Sequence, residues 1–251
     1  MNILVTNDDG YSAPGLLILK QALEKIGTVV VVAPDQNWSA GGHVKTLHKP
    51  LRLSKVQLAD GSDAYASSGA PSDCVSLVLL GAIDFKPDLI VSGINPFANL
   101  SHDVTYSGTV TAAMEGALSG IPSIAVSVEN ADADPAAYEH AAAFAAHLAP
   151  IVLERGLARE VLLNVNVPVG PIKGVQITRM GQRVYNDKLD ARTDPRGRPY
   201  YWIGGTVPTG IPDDGTDVGA ISHGYISVTP IQMDMTAYRF QETLKAWELS
   251  A

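Results

Sequence analysis

The hydrophobic positions of the chain fall into short, separate runs, each closed by polar residues. Ile3-Leu4-Val5 opens the chain, and Thr28-Val29-Val30-Val31-Val32-Ala33 follows. Three more runs lie at 88–95, 123–128 and 161–167. Brief, wholly apolar, β-branched runs are what strands buried on both faces of a parallel sheet require. Between them the period changes. Leu16, Leu19, Leu23 and Ile26 recur at helical spacing behind Pro14-Gly15, and Gly27 stops them. Cys74, Val75, Leu77 and Val78 follow Pro71, a residue suited to a first helical turn. Val110, Ala113, Met114 and Ala117 follow Ser107-Gly108-Thr109, and an alanine-rich helix is predicted over 135–154. Strands alternating with helices predict right-handed βαβ units, hence an α/β fold with a mostly parallel sheet and helices on both faces. Leu51-Arg52-Leu53 and Ala64-Tyr65-Ala66 read as strand pieces of an irregular insert.

Beyond Pro168 the texture shifts. Residues 175–178 alternate like a half-exposed strand, and 225–229 read as another. Residues 186–212 are rich in Asp, Arg, Gly and Pro around an aromatic knot, Tyr200-Tyr201-Trp202. Such a segment cannot build its own core, so an arm packing on a second subunit is expected. Asp213-Asp214-Gly215 follows no apolar strand and reads as a plain turn. The tail, 236–247, is predicted helical with Tyr238, Leu244 and Trp247 as anchors. The expectation is one domain over 1–251, with an α/β core at 1–168 and a C-terminal oligomerisation extension at 169–251.

Composition narrows the function. The 251 residues are 46% hydrophobic and 18% charged, and the formal net charge is -8. That charge argues against a DNA or RNA duplex or an anionic membrane as partner. It also means that an anionic substrate needs a metal or backbone donors to meet it. A single cysteine, Cys74, excludes an internal disulfide and reads as a small buried hydrophobe. No signal-peptide pattern opens the chain, and no apolar run reaches the ~18 residues of a membrane span. A cytoplasmic location is the default expectation.

The candidate chemistry sits where strands end. In open α/β sheets ligands bind beyond the carboxyl ends of the strands. The first strand ends in Asn7-Asp8-Asp9-Gly10, two adjacent carboxylates and a glycine that permits a tight turn. Like charges this close call for a neutraliser, and oxygen ligands suit Mg²⁺, Mn²⁺ or Ca²⁺. Asp-Asp-Gly is equally an ordinary surface turn. The second strand ends in a long polar loop, 34–43, whose Gly41-Gly42 pair allows close backbone approach. The third feeds a loop from Asn95 to Tyr106, and Ser107-Gly108-Thr109 then opens a helix whose free N–H groups suit an anion. Gly10 and Gly15 have the spacing of a P-loop, but Leu16-Leu17 stand where Lys-Ser/Thr is required, and Gly-x-Gly-x-x-Gly is absent. His140 and His147 lie seven apart, not the four of a helical metal pair, and read as solvated or packing residues.

Several of these blocks together resemble the SurE family, the survival-protein nucleotidases. The resemblance rests on Ile3-Leu4-Val5-Thr6-Asn7-Asp8-Asp9-Gly10, on Val32-Ala33-Pro34 with Ser39, and on Pro87 through Asn95. Asp103-Val104-Thr105-Tyr106-Ser107-Gly108-Thr109-Val110 and Gly224-Tyr225-Ile226-Ser227-Val228-Thr229-Pro230 complete it. It implies a Rossmann-like fold and a dimer or tetramer with exchanged C-terminal elements. It also implies a metal-dependent phosphatase acting on nucleoside 5'-monophosphates, with 3'-monophosphates and polyphosphate as further substrates to test. The family's metal ligands fall on Asp8, Asp9, Ser39 and Asn95, which would hold one divalent cation per subunit, Mg²⁺ or Mn²⁺, with Ca²⁺ as another occupant. The chain departs from the family's pattern at Phe97 and Ser101, which stand where glycines are usual, and at Ala40-Gly41-Gly42-His43 after Ser39, where Ser-Gly is more usual.

On this reading Asp8, Asp9 and Asn95 are catalytic, and phosphate meets Gly41, Gly42, Asn99, Ser107, Gly108 and Thr109. Attack by water oriented by Asp8 or Asp9 competes with an aspartyl-phosphate route. A dehalogenase-like phosphatase needs acids two apart and a lysine, and the adjacent pair does not offer that. A nucleotide- or metal-binding regulator without turnover is the remaining alternative.

Overall fold

The computed structural model describes residues 1–132, 134–247 and 249. The first unit is β1 (Asn2–Thr6), α1 (Pro14–Leu23) and β2 (Thr28–Pro34), with β1 and β2 parallel. Strands β3 (Leu53–Gln57) and β4 (Asp63–Ser67) form an antiparallel edge pair, and β4 runs parallel to β2. Helix α2 (Pro71–Leu79) leads to β5 (Leu89–Asn95), which pairs with the other side of β1. A 3₁₀ turn (Ser101–Thr105), α3 (Gly108–Leu118), β6 (Ser123–Val128), α4 (Ala137–Arg155) and β7 (Val161–Val167) continue the parallel run. The remaining elements are β8 (Val175–Ile177), β9 (Gln182–Thr193), β10 (Pro199–Ile211), α5 (Asp217–Ser222), β11 (Ile226–Gln232) and α6 (Tyr238–Lys245).

Among the described residues the main sheet has nine strands in the order β3-β4-β2-β1-β5-β6-β7-β11-β8. From β1 the chain first adds strands on one side, then crosses to β5 on the other. The crevice at the carboxyl ends of β1 and β5 is therefore the topological switch point, where this architecture keeps its ligands. Alternate side chains serve opposite faces. Ile3 and Val5 join the cluster that α1 and α4 cover, while Leu4 joins Val32, Ile90 and Ala112 beneath α2 and α3. This is the α/β sheet, helical on both faces, that the periodicity predicts.

The C-terminal segment divides in two. Strand β11 returns to the main sheet, antiparallel to β7 and parallel to β8. Strands β9 and β10 instead form their own antiparallel hairpin. The hairpin exposes Leu189, Trp202, Ile203 and Val207 by 63–84%. The hairpin falls in the segment where an arm is expected, while β8 and β11 join the main sheet and Val218 and Ile221 of α5 pack with Leu100. Helix α5 was not predicted, because six residues are too few to show a period. Helix α6 forms as expected, and of its anchors Leu244 is half-buried. Tyr238 and Trp247 stay exposed, and Phe240 meets Trp247 edge to face at 6.0 Å.

His140 and His147 are exposed on α4. Cys74 is fully buried, and burial pushes its thiol up to about 12. No helix of the described residues is long and apolar enough to cross a membrane.

Candidate active site

The turn after β1 is set by Asn7. Its Oδ1 accepts the Gly10 N–H at 3.2 Å, and its Nδ2 donates to the Gly10 carbonyl at 3.0 Å. Gly10 sits at φ +102°, where a side chain would be strained. The turn ends the strand and turns both carboxylates into the crevice, with Asp8 buried and Asp9 half-buried. The loop after β2 is tied to it, since Trp38 N–H donates to the Asp8 carbonyl at 2.8 Å.

The N-terminus of α3 points at Asp8. The Thr109 hydroxyl donates to Asp8 Oδ1, and the Gly108 and Thr109 amides also favour the charged carboxylate. Glycine is required at 108, because a Cβ there would lie 2.6 Å from Asp8 Cβ. The anion that the positive end of this helix receives is Asp8 itself. Ser107 caps the helix by accepting the Val110 N–H at 3.1 Å.

Asn95 ends β5. Its Nδ2 donates to the Phe97 carbonyl, which leaves Oδ1 as a free acceptor. Asn99 is held by a buried amide network from β6 and β7. Its N–H donates to Asn166 Oδ1 and its Nδ2 to Ser127 Oγ, both at 2.8 Å, and its carbonyl accepts Asn164 Nδ2 at 2.8 Å. The loop bearing Ser39 is fastened to α3 by buried Glu115. That carboxylate meets Lys45 at 2.8 Å, His43 at 3.1 Å and Ser76 at 2.8 Å.

These elements enclose a cavity of about 360 Å³ lined by Asp8, Asp9, Asn37, Ser39, Ala40, Asn95, Pro96, Phe97, Asn99, Asp103, Tyr106 and Ser107. Burial raises the Asp8 carboxyl against its hydrogen bonds. Burial first, then the charge of Asp8, raises Asp9 to about 7. Among the described residues this wall contains no lysine or arginine. Two adjacent carboxylates are thus gathered in a partly dry crevice without a side-chain counter-ion, a costly arrangement unless a cation completes it. Oδ2 of Asp9, the Ser39 hydroxyl and Oδ1 of Asn95, with the second Asp8 oxygen, are hard donors of the type Mg²⁺ or Mn²⁺ takes.

Six expected residues, Asp8, Asp9, Ser39, Asn95, Asn99 and Ser107, line one cavity. Four others do not. The Gly41 N–H is committed to the Trp38 carbonyl and the Gly42 N–H to the Tyr106 carbonyl, each at 2.9 Å. Gly108 and Thr109 face Asp8 rather than the cavity. Sequence reasoning missed Asn37, Asp103 and Tyr106. Asn37 lies within 3.5 Å of Asp9 and accepts the Ser39 N–H at 2.7 Å. The available signal was their place in polar loops directly after strand ends.

Comparison with known proteins gives the family. The family model described as Survival protein SurE matches residues 3–187. The chain belongs to the SurE family. A SurE protein of Herpetosiphon aurantiacus, named 5'-nucleotidase SurE, is 55% identical over 239 residues, 94% of each chain. Its namesake in Chloroflexus aggregans is 52% identical over 251 residues, 99% of each chain. The crystal structure of the SurE protein from Aquifex aeolicus superposes with a TM-score of 0.80 at 39% identity, covering 99% of this chain and 100% of that one.

Proposed function

We propose that this SurE protein is a divalent-cation-dependent 5'-nucleotidase that hydrolyses nucleoside 5'-monophosphates to nucleoside and phosphate. The observation that carries the reading is the pair Asp8 and Asp9 at the switch point, facing a cavity whose wall, among the described residues, offers hard oxygens and no lysine or arginine. The name shared by relatives about half identical over the full length supports the reaction class.

Asp8, Asp9, Ser39 and Asn95 would hold the cation, Mg²⁺ or Mn²⁺. When bound it supplies charge that polarises the phosphoryl group and makes water more acidic. The chain's own residues divide the remaining work. Asp8 is fixed by Thr109 and the α3 N-terminus, so it serves as a rigid ligand. Asp9 is less buried and faces the cavity, which suits it to orient the attacking water. Ser107 and Asn99 offer the polar contacts for phosphate oxygens, and the wall keeps that end of the substrate partly dry. Direct attack by water is the route that this division of labour favours. A trapped phosphoryl group on Asp8 would replace it with the covalent route.

The reading includes self-assembly through the β9–β10 hairpin and α6, whose exposed apolar side chains need cover. It also includes a cytoplasmic location, where mononucleotides are abundant. The test is inorganic phosphate release from a panel of nucleoside 5'- and 3'-monophosphates and polyphosphate, with Mg²⁺, Mn²⁺ or chelator. Release that needs metal and is lost in Asp8→Asn supports the hydrolase. A folded protein that binds the ion and nucleotide yet releases nothing is a regulator instead.

A further inference from the structure

Asp8, Asp9, Ser39, Asn95, Asn99 and Ser107 are the cavity residues that the nucleotidase reading uses. The rest of the wall sets Ala40, Pro96 and two large aromatic rings, Phe97 and Tyr106, beside Asn37 and Asp103. Both rings are open to solvent, Phe97 by 49% and Tyr106 by 62%. Large exposed aromatics in a ligand cavity mark a contact surface more often than a solvated one.

Both are presented from pinned backbone. Phe97 pairs with Asn130 in an antiparallel bridge, its neighbour Pro96 accepts the Ala131 N–H at 2.9 Å, and its carbonyl accepts Asn95 Nδ2. Tyr106 donates its N–H to the Asp103 carbonyl at 3.0 Å and accepts the Gly42 N–H at 2.9 Å. A hydrophobic ring that merely fills space would turn into the core. These rings stand free on fixed supports beside polar groups of the site, Phe97 two residues after Asn95 and Tyr106 one residue before Ser107. Fixed supports lower the entropy lost when a planar ligand stacks on them.

We propose that Phe97, with Tyr106, is the nucleobase platform of this site. The inference rests on the nucleotidase reading and adds what that reading leaves open, namely how the enzyme tells a nucleotide from any other phosphomonoester. Phosphate and cation chemistry at Asp8 and Asp9 cannot do so, because every monoester offers the same phosphoryl group. A ring stacked on the base can. Every base has a π-face, so stacking predicts tolerance among bases and discrimination against substrates that lack one.

The experiment compares AMP, GMP and CMP with ribose 5-phosphate, using the wild type, Phe97→Ala and Phe97→Trp. The expected result is a KM for each nucleotide raised about tenfold in Phe97→Ala, the size of one partly exposed base–aromatic stack. Its kcat stays nearly unchanged, its ribose 5-phosphate kinetics match the wild type, and Phe97→Trp restores the nucleotide KM. Equilibrium dialysis with AMP gives a second readout that does not need turnover, and there Phe97→Ala binds about tenfold more weakly. An equal loss on ribose 5-phosphate overturns the platform, since it means general damage to the cavity. So does unchanged AMP affinity. Phosphate release from no monoester by wild type is a different failure: it removes the hydrolase, while the dialysis still decides whether the ring holds a base.

Discussion

Arg183 Nε donates to Asp103 Oδ2 at 2.9 Å, joining the root of the hairpin arm to the wall of the cavity. Tyr185 adds its hydroxyl to Asp103 Oδ1 at 2.6 Å. A second seam runs beside the first: buried Asp217 accepts the N–H groups of Ser101 and Gly181, each at 2.7 Å. The 3₁₀ turn carrying Asp103 and leading to Tyr106 is therefore positioned by the arm as much as by the sheet. Arg183→Ala leaves a half-buried carboxylate short of its ion pair, a loss of about 1–3 kcal/mol. The expected outcome is a melting temperature lower by about 2–12 °C and a kcat/KM reduced about tenfold, with most of the change in KM. Circular dichroism melts and phosphate-release kinetics check both. A lower melting temperature with wild-type kinetics would show that the pair supports the fold alone.

Thr109 and Gly108 make a separable test of Asp8. Thr109→Val removes the hydroxyl donor without changing shape, so the carboxylate keeps its place but loses its orienting bond. Outer partners of metal ligands are worth about 10–100-fold in metal affinity, and that is the expected fall for Mn²⁺ measured by titration. Gly108→Ala inserts a methyl 2.6 Å from Asp8 Cβ and must displace the ligand itself. It should lose more activity than Thr109→Val while retaining the far-ultraviolet spectrum. The reverse order of severity would mean that Asp8 is not held by the start of α3.

Much of this was legible in the sequence. The parallel core was readable because fully buried strands repeat an apolar signature, from Ile3-Leu4-Val5 to Val161–Val167. The switch-point carboxylates were readable because Asp8 and Asp9 follow the first strand directly. What could not be read were contacts between distant segments. The phosphate role expected of Gly41 and Gly42 assumed free amides, and tertiary structure commits both to nearby carbonyls. The Thr109 amide was expected to meet phosphate, whereas both that amide and the Thr109 hydroxyl act on the Asp8 carboxylate, 101 positions away. Ser101 holds a backbone conformation that favours glycine, and the structure gives the reason a side chain is tolerated. Its φ is +55°, a left-handed conformation costing roughly 1–2 kcal/mol for a side chain. Its hydroxyl offsets that by donating to the Gly181 carbonyl at 2.8 Å.

Glu115 yields the pH prediction. The His43 contact is the largest cause holding its carboxyl down to about 2, with Lys45 and Ser76 adding to it against the penalty of burial. A carboxyl depressed in the folded state stabilises it above the ordinary value and loses that contribution as pH falls through the folded one. The window for Glu115 runs from about 4.5 down to about 2, well below neutrality. Only 9% of its side chain is exposed, so screening by water is weak. The contribution is on the order of 1–3 kcal/mol. Glu115→Gln keeps the shape and removes the charge. Urea unfolding at pH 6 should therefore show the variant less stable than wild type by that amount. The gap should shrink as pH is lowered toward 2.5, because Glu115 of the unfolded chain is then protonated and the folded carboxylate's advantage falls away. A gap that stays constant across this range would assign Glu115 a packing role and no ion-pair role. Because this cluster fastens the loop bearing Ser39, the variant should also bind Mn²⁺ more weakly at pH 7, with Lys45→Gln showing a smaller loss, since Lys45 is half exposed.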